Sequence, residues 1–80
     1  MRSDRAALQE EEQKLRRLRR MMDMTAALLW QADLSLEQAQ KVVADAKEKV
    51  LELFPDKGET FDLIYGSRFR RILAEKYRLQ

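Results

Sequence analysis

Neither cysteine nor histidine occurs in this chain. Disulfides are therefore excluded, and so are the His- and Cys-based zinc and transition-metal sites that reinforce many small domains. The hydroxyl residues Ser3, Thr25, Ser35, Thr60 and Ser67 have no imidazole base to activate them, and nothing in the sequence positions a lysine as a substitute. One proline and two glycines leave few places where a helix would be interrupted. The longest apolar run covers residues 26–30, far short of the roughly 18 residues a membrane span needs. No secretory signal is visible: Met1-Arg2-Ser3-Asp4-Arg5 leads into no apolar stretch. These absences predict a soluble, cytoplasmic, non-enzymatic protein with no cofactor, no metal, no membrane span and no small-molecule substrate.

What is present is charge and helical periodicity. The 80 residues make one domain. A chain of this size buries only about 60% of its unfolded surface, so oligomerisation or very regular helix packing is expected to reinforce it. The 16 basic and 14 acidic residues nearly balance, but unevenly along the chain. Residues 1–20 carry net +3, residues 21–60 net −4 and residues 61–80 net +3. Two basic ends around an acidic middle suit helix pairing, within the chain or between copies, and can also steer an anionic partner.

The spacing predicts an all-α fold of three helices over about 3–32, 36–54 and 57–78, with a C-terminal helical hairpin packed on the second half of a long N-terminal helix. Ser3 or Asp4 is a candidate N-cap for the first helix. Its seam is Leu8, Leu15, Leu18, Met22, Thr25, Leu29 and Ala32, an alternating four-and-three pattern broken only by Glu11. A carboxylate on a seam needs a partner, and an arginine from another helix would serve. Ser35 with Gln38 reads as a capping box opening the second helix. Its stripe is Leu36, Ala39, Val43, Ala46, Val50 and Leu53, widened by Val42, Leu51 and Phe54. Pro55 ends it.

Asp56 with Glu59 is a second candidate capping box, with Thr60 as a competing start. The third helix places Phe61, Tyr65, Phe69, Ile72 and Leu73 on one face, with Ile64 and Leu79 beside them. Gly66-Ser67 is its weak point: either a neighbouring backbone packs there, or the helix breaks and Ser67 caps a new one. Two helices of about 19 residues span roughly 28 Å each against roughly 45 Å for the first. They cover about two-thirds of it, so its first half is expected to project or to pair with another chain.

That mismatch predicts a protein–protein interaction module, self-associating as a homodimer or binding another helical protein through Leu8, Leu15, Leu18, Met22 and Leu29. The alternative is a small dimeric nucleic-acid-binding protein using Arg16, Arg17, Arg19 and Arg20, together with Arg70 and Arg71. It is not favoured. Glu10, Glu11 and Glu12 lie one turn before the first group, and the third helix lacks a base-reading Asn or Gln before Gln80. The basic residues 68–78 are better read as balancing a helix C-terminus and pairing with acidic residues of the second helix. A weaker third reading lays Trp30 and the methionines on a membrane surface. Trp30, Phe54, Phe61, Tyr65 and Phe69 read as core rather than pocket. Of Met21, Met22 and Met24, at least one must be exposed. Consecutive Glu10-Glu11-Glu12 point apart and cannot converge on a cation, and Asp56 with Glu59 are too few for a calcium loop.

Overall fold

The computed structural model describes residues 2–78, the side chains of residues 2 and 3 excepted. Three helices and no strand are present among the described residues. Helix α1 spans Arg2–Gln31 and α2 spans Leu36–Leu53. A short 3-10 turn, Pro55–Lys57, follows. Helix α3 then runs as one rod in three consecutive parts: an α-helical turn Gly58–Thr60, a π-helical segment Phe61–Gly66, and an α-helical segment Ser67–Tyr77. The α2–α3 hairpin packs on α1, giving a body of 51 × 20 × 19 Å.

Helix α1 is already helical at Ser3 and Asp4, so neither is its N-cap. The capping box of α2 forms as read: Gln38 N donates to Ser35 Oγ at 3.1 Å, and Ser35 N donates to Gln38 Oε1 at 2.9 Å. The second box does not form. No side chain caps the start at Lys57, Thr60 lies inside the helix, and Asp56 meets Lys57 at 3.5 Å instead.

At Gly66 the helix neither breaks nor receives a neighbouring backbone. Gly66 and Ser67 both keep right-handed helical angles (φ −58° and −62°). A Cβ placed on Gly66 would meet only the Phe61 carbonyl at 3.5 Å and Arg70 Nη1 at 3.7 Å, ordinary contact distances. Ser67 Oγ donates back to the Leu63 carbonyl at 3.3 Å rather than capping. The wide π turn, built on i→i+5 hydrogen bonds, shifts the register of the helix face. Phe61 stacks on Tyr65 and Phe69 with ring centroids 6.4 and 6.0 Å apart. Ile64, expected beside that face, is turned out and 58% exposed.

The core consists of Leu18, Met22, Ala26 and Leu29 from α1, Ala39 and Val50 from α2, Phe54, and Phe61, Phe69, Ile72 and Leu73 from α3. Leu36, Val42, Val43, Ala46 and Tyr65 are half-buried. Leu51 and Leu53, expected on the buried stripe of α2, are exposed. Phe54, which leaves helical geometry at φ −136°, is buried instead.

The far end of the hairpin is tied by polar contacts. Lys76 Nζ donates to the Leu29 carbonyl and, at 2.6 Å, to the Ala32 carbonyl, so a lysine of α3 caps the C-terminus of α1. Tyr77 Oη donates to the Leu34 carbonyl at 2.6 Å. Helix α3 ends at Arg78 in the left-handed region (φ 55°), its N–H bonded to Ala74 O. The expected flanking role of Leu79, and Gln80, lie outside the described residues.

Candidate interaction surface on the long helix

The five α1 residues expected at an interface divide. Leu18, Met22 and Leu29 are completely buried by their own chain. This corrects their assignment to an interface: α2 and α3 occupy that face, so these three have no surface to offer a partner. Leu8 and Leu15 remain outside, 65% and 43% exposed.

The hairpin reaches further back along α1 than the helix lengths implied. Lys57, at the hairpin tip, bonds the Glu11 carboxylate, so the break in the seam is answered within the chain by a lysine of the turn. The Lys57 side chain is only 13% exposed. Hydrogen bonding to Glu11 raises the Lys57 ammonium above its ordinary pKa, against an opposing desolvation effect. The Asp56 carboxyl is held below its usual value, first by a backbone hydrogen bond and also by Lys57 and Lys14. The projecting part of α1 is therefore residues 4–10, all exposed, rather than half the helix.

A second apolar feature, not anticipated from the seam, lies on the flank of α1. Met21, Met24, Thr25 and Leu28 line an open groove of about 620 Å³ against Ala46 and Lys49 of α2. Met24 is 72% exposed. Thr25 Oγ1 donates to its own helix at Met21 O, 2.9 Å away, which satisfies the hydroxyl locally. Among the described residues Lys49 is the only charged one lining the groove. Arg17 and Arg20 stand one helical turn before Met21 and Met24 and continue the same flank. The adjacent methionines carried the available signal: three in four positions cannot share one buried stripe.

The six arginines read as a nucleic-acid surface do not act as a group. Arg16 pairs with Glu12 at 3.6 Å, and the Arg17 guanidinium lies 5.9 Å from the centre of the Phe54 ring. Arg70 Nη2 donates to Ser67 Oγ at 3.2 Å. Arg19, Arg20 and Arg71 are exposed with no carboxylate within 4 Å among the described residues. The basic residues of α3 also find different partners from those expected. Arg68 pairs with Asp23 of α1 at 2.8 Å, and Lys76 takes α1 carbonyls. The α2–α3 ion pair is Lys47–Asp62, at 2.8 Å, with the base on α2.

Trp30, expected in the core, is 46% exposed. Among the described residues no helix is long and apolar enough to cross a membrane. No known protein family, curated protein or solved structure matches the chain.

Proposed function

We propose that this protein is a non-enzymatic, cytoplasmic helical interaction module that self-associates through its long N-terminal helix. The observation carrying this reading is where the unburied apolar side chains fall. Among the described residues nine large hydrophobics are exposed, and Leu8, Leu15, Met24, Leu28 and Trp30 all lie on α1. Single exposed apolar residues are ordinary, whereas neighbouring ones mark an interaction surface, and α1 carries two such sets, Leu8 with Leu15 and Met24 with Leu28. The small core adds a second motive, since a domain of this size gains proportionately from association.

Static light scattering across rising protein concentration, with helicity recorded on the same samples, tests the proposal. The weight-average mass should climb above that of the 9.5 kDa chain. A mass that stays monomeric while α1 remains fully helical refutes it.

The alternative, a nucleic-acid binder, draws on Arg19, Arg20 and Arg71, which are exposed and meet no carboxylate within 4 Å among the described residues. It ranks second because Arg16, Arg17 and Arg70 are engaged within the chain. It requires binding that weakens steeply with salt, and fluorescence anisotropy with labelled DNA and RNA at low salt decides it.

A further inference from the structure

The groove between α1 and α2 opens away from α3. Asp23, which takes Arg68 of α3, lies at least roughly 100° around α1 from Met21, Met24 and Leu28. Lys47, which takes Asp62 of α3, lies at least roughly 100° around α2 from Ala46 and Lys49. Val42 and Leu53 fall between Ala46 and Lys49 on the same wheel and extend the apolar face, and Leu53 is 44% exposed. The two flanks of this face differ in charge. The outer flank of α1, residues 13, 17, 20, 24, 27 and 31, holds two arginines and no carboxylate. Arg17 is held over Phe54, whereas Arg20 is exposed and meets no carboxylate within 4 Å among the described residues. The outer flank of α2 holds Asp45, Glu48 and Glu52. Lys41 takes Asp45 at 3.8 Å, whereas Glu52 is exposed and meets no cation within 4 Å among the described residues. Resting on the self-association reading, we infer that a second copy covers this face through a two-fold axis parallel to the helices, with Arg20 of each copy against Glu52 of the other.

The geometry of the antiparallel pair sets this arrangement. Met21 and Met22 line the groove opposite Ala46 and Lys49, so Arg20 stands within about one turn of Glu52 in height. A two-fold axis along the helices keeps every height, lays α1 of one copy antiparallel on α2 of the other, and brings their outer flanks to the same side. Met21, Leu28, Val42 and Leu53 of both copies then meet at the centre of four helices with antiparallel neighbours. Arg20 and Glu52 close the edge twice, as flanking charges do between paired helices. Lys49, at the inner edge, has Asp45 and Glu52 one turn to either side on its own helix. Its stem lies along the methionines while its ammonium keeps a carboxylate in reach. Laying α1 on α1 instead sets Arg20 against a flank without a carboxylate. The contact is isologous and stops at two copies.

Charge exchange tests it. Arg20, Met24 and Glu52 are exposed, so circular dichroism of Arg20→Glu, Glu52→Lys and Met24→Glu at low micromolar concentration should match wild type. In sedimentation equilibrium up to millimolar concentration, the wild-type mass should level off at twice the 9.5 kDa chain. Arg20→Glu and Glu52→Lys alone should each associate at least about tenfold more weakly, because like charges then face each other twice. An equimolar mixture of the two should form a heterodimer, and the double variant R20E/E52K should dimerise again, since both restore opposite charges across the contact. Met24→Glu should stay monomeric. If the wild type associates but the charge variants match it, fail to complement, or the mass grows past two, the two-fold contact is wrong and self-association stands. Association that survives Met24→Glu and is lost in Leu8→Asp belongs to the projecting end, which also overturns the groove contact alone. A monomeric wild type throughout removes both readings.

Discussion

Substituting Leu18 and Leu8 separately by alanine tests the division of the α1 seam into covered and uncovered parts. Both are leucines on one helix, ten residues apart, and helix propensity charges each replacement almost nothing. They differ in surroundings: Leu18 is fully buried and Leu8 is 65% exposed. Burying a leucine side chain contributes about 1.5–3 kcal/mol, and the cavity left by truncation brings the expected loss at Leu18 to about 2–5 kcal/mol. An 80-residue domain holds only about 4–12 kcal/mol in total, so Leu18→Ala removes a large fraction of it. In a domain of this size each kcal/mol shifts the Tm by about 4–8 °C, and the melting point should fall by at least about 8 °C. Leu8→Ala should stay within about 0.5 kcal/mol of wild type. Urea unfolding followed by circular dichroism at micromolar concentration measures both. Equal losses, or a Leu18 loss under about 1 kcal/mol, would refute the placement of the hairpin on α1. Repeating the Leu8 measurement near millimolar concentration adds a second reading. If α1 carries an interface, the midpoint becomes concentration-dependent in wild type and less so in the variant.

Gly66→Ala should stabilise the fold by about 0.4–1 kcal/mol, since the added methyl meets only ordinary contacts at right-handed helical angles; a drop in Tm would mean that the π turn needs glycine. Lys76→Met keeps the stem but strands the Leu29 and Ala32 carbonyls, so a loss of about 1–3 kcal/mol in urea unfolding is expected, and an unchanged midpoint would dismiss the cap. The Lys57 pKa is raised above 10.5 in the fold, so its contribution is complete below that pH and is lost as pH rises through the folded value; urea midpoints taken from pH 9 to 12 should fall more steeply in wild type than in Lys57→Met. Asp56 works in the opposite sense: its lowered pKa gives a contribution present above 3.8 and lost on acidification. Hydrogen exchange should separate the two ends of α1, with amides of residues 4–10 exchanging far faster than those of residues 18–29, and a uniform pattern would contradict the projection.

The elements governed by local chemistry were legible in the sequence. Ser35-x-x-Gln38, Pro55 and the uninterrupted first thirty residues specify caps, a stop and a rod through interactions four residues apart or fewer. The helix count and the hairpin on α1 followed from them. What periodicity could not supply was the reach of one side chain toward a distant backbone. Lys57 at the turn extends the hairpin to Glu11, and this shortens the projecting end to residues 4–10. Lys76 and Tyr77 find carbonyls more than 40 positions away. Nor does a wheel drawn at 100° per residue foresee the π turn, so the same wheel that placed Phe61, Phe69 and Ile72 correctly misplaced Ile64. Arg68 chose Asp23 over the acids of α2 for a related reason: α3 lies against both helices, and charge counting along the chain cannot say which carboxylate faces it.

The order of the projecting end has a physical source other than packing. Residues 4–10 make no buried contact, yet they are helical. Nucleating a helix is costly, whereas extending one adds a hydrogen bond for each residue fixed. Here the nucleus lies downstream, where Leu18, Met22, Ala26 and Leu29 are clamped by the hairpin. Ala6, Ala7, Leu8, Gln9 and Glu10 are all strong helix formers, so the helix propagates outward beyond its support. A partner engaging Leu8 and Leu15 would thus meet a largely formed helix and spend little free energy ordering it. A disordered tail bearing the same leucines would lack that advantage. On this argument, glycine at Ala6 or Ala7 weakens association without touching a contact or the core, which distinguishes a preformed rod from a sticky tail.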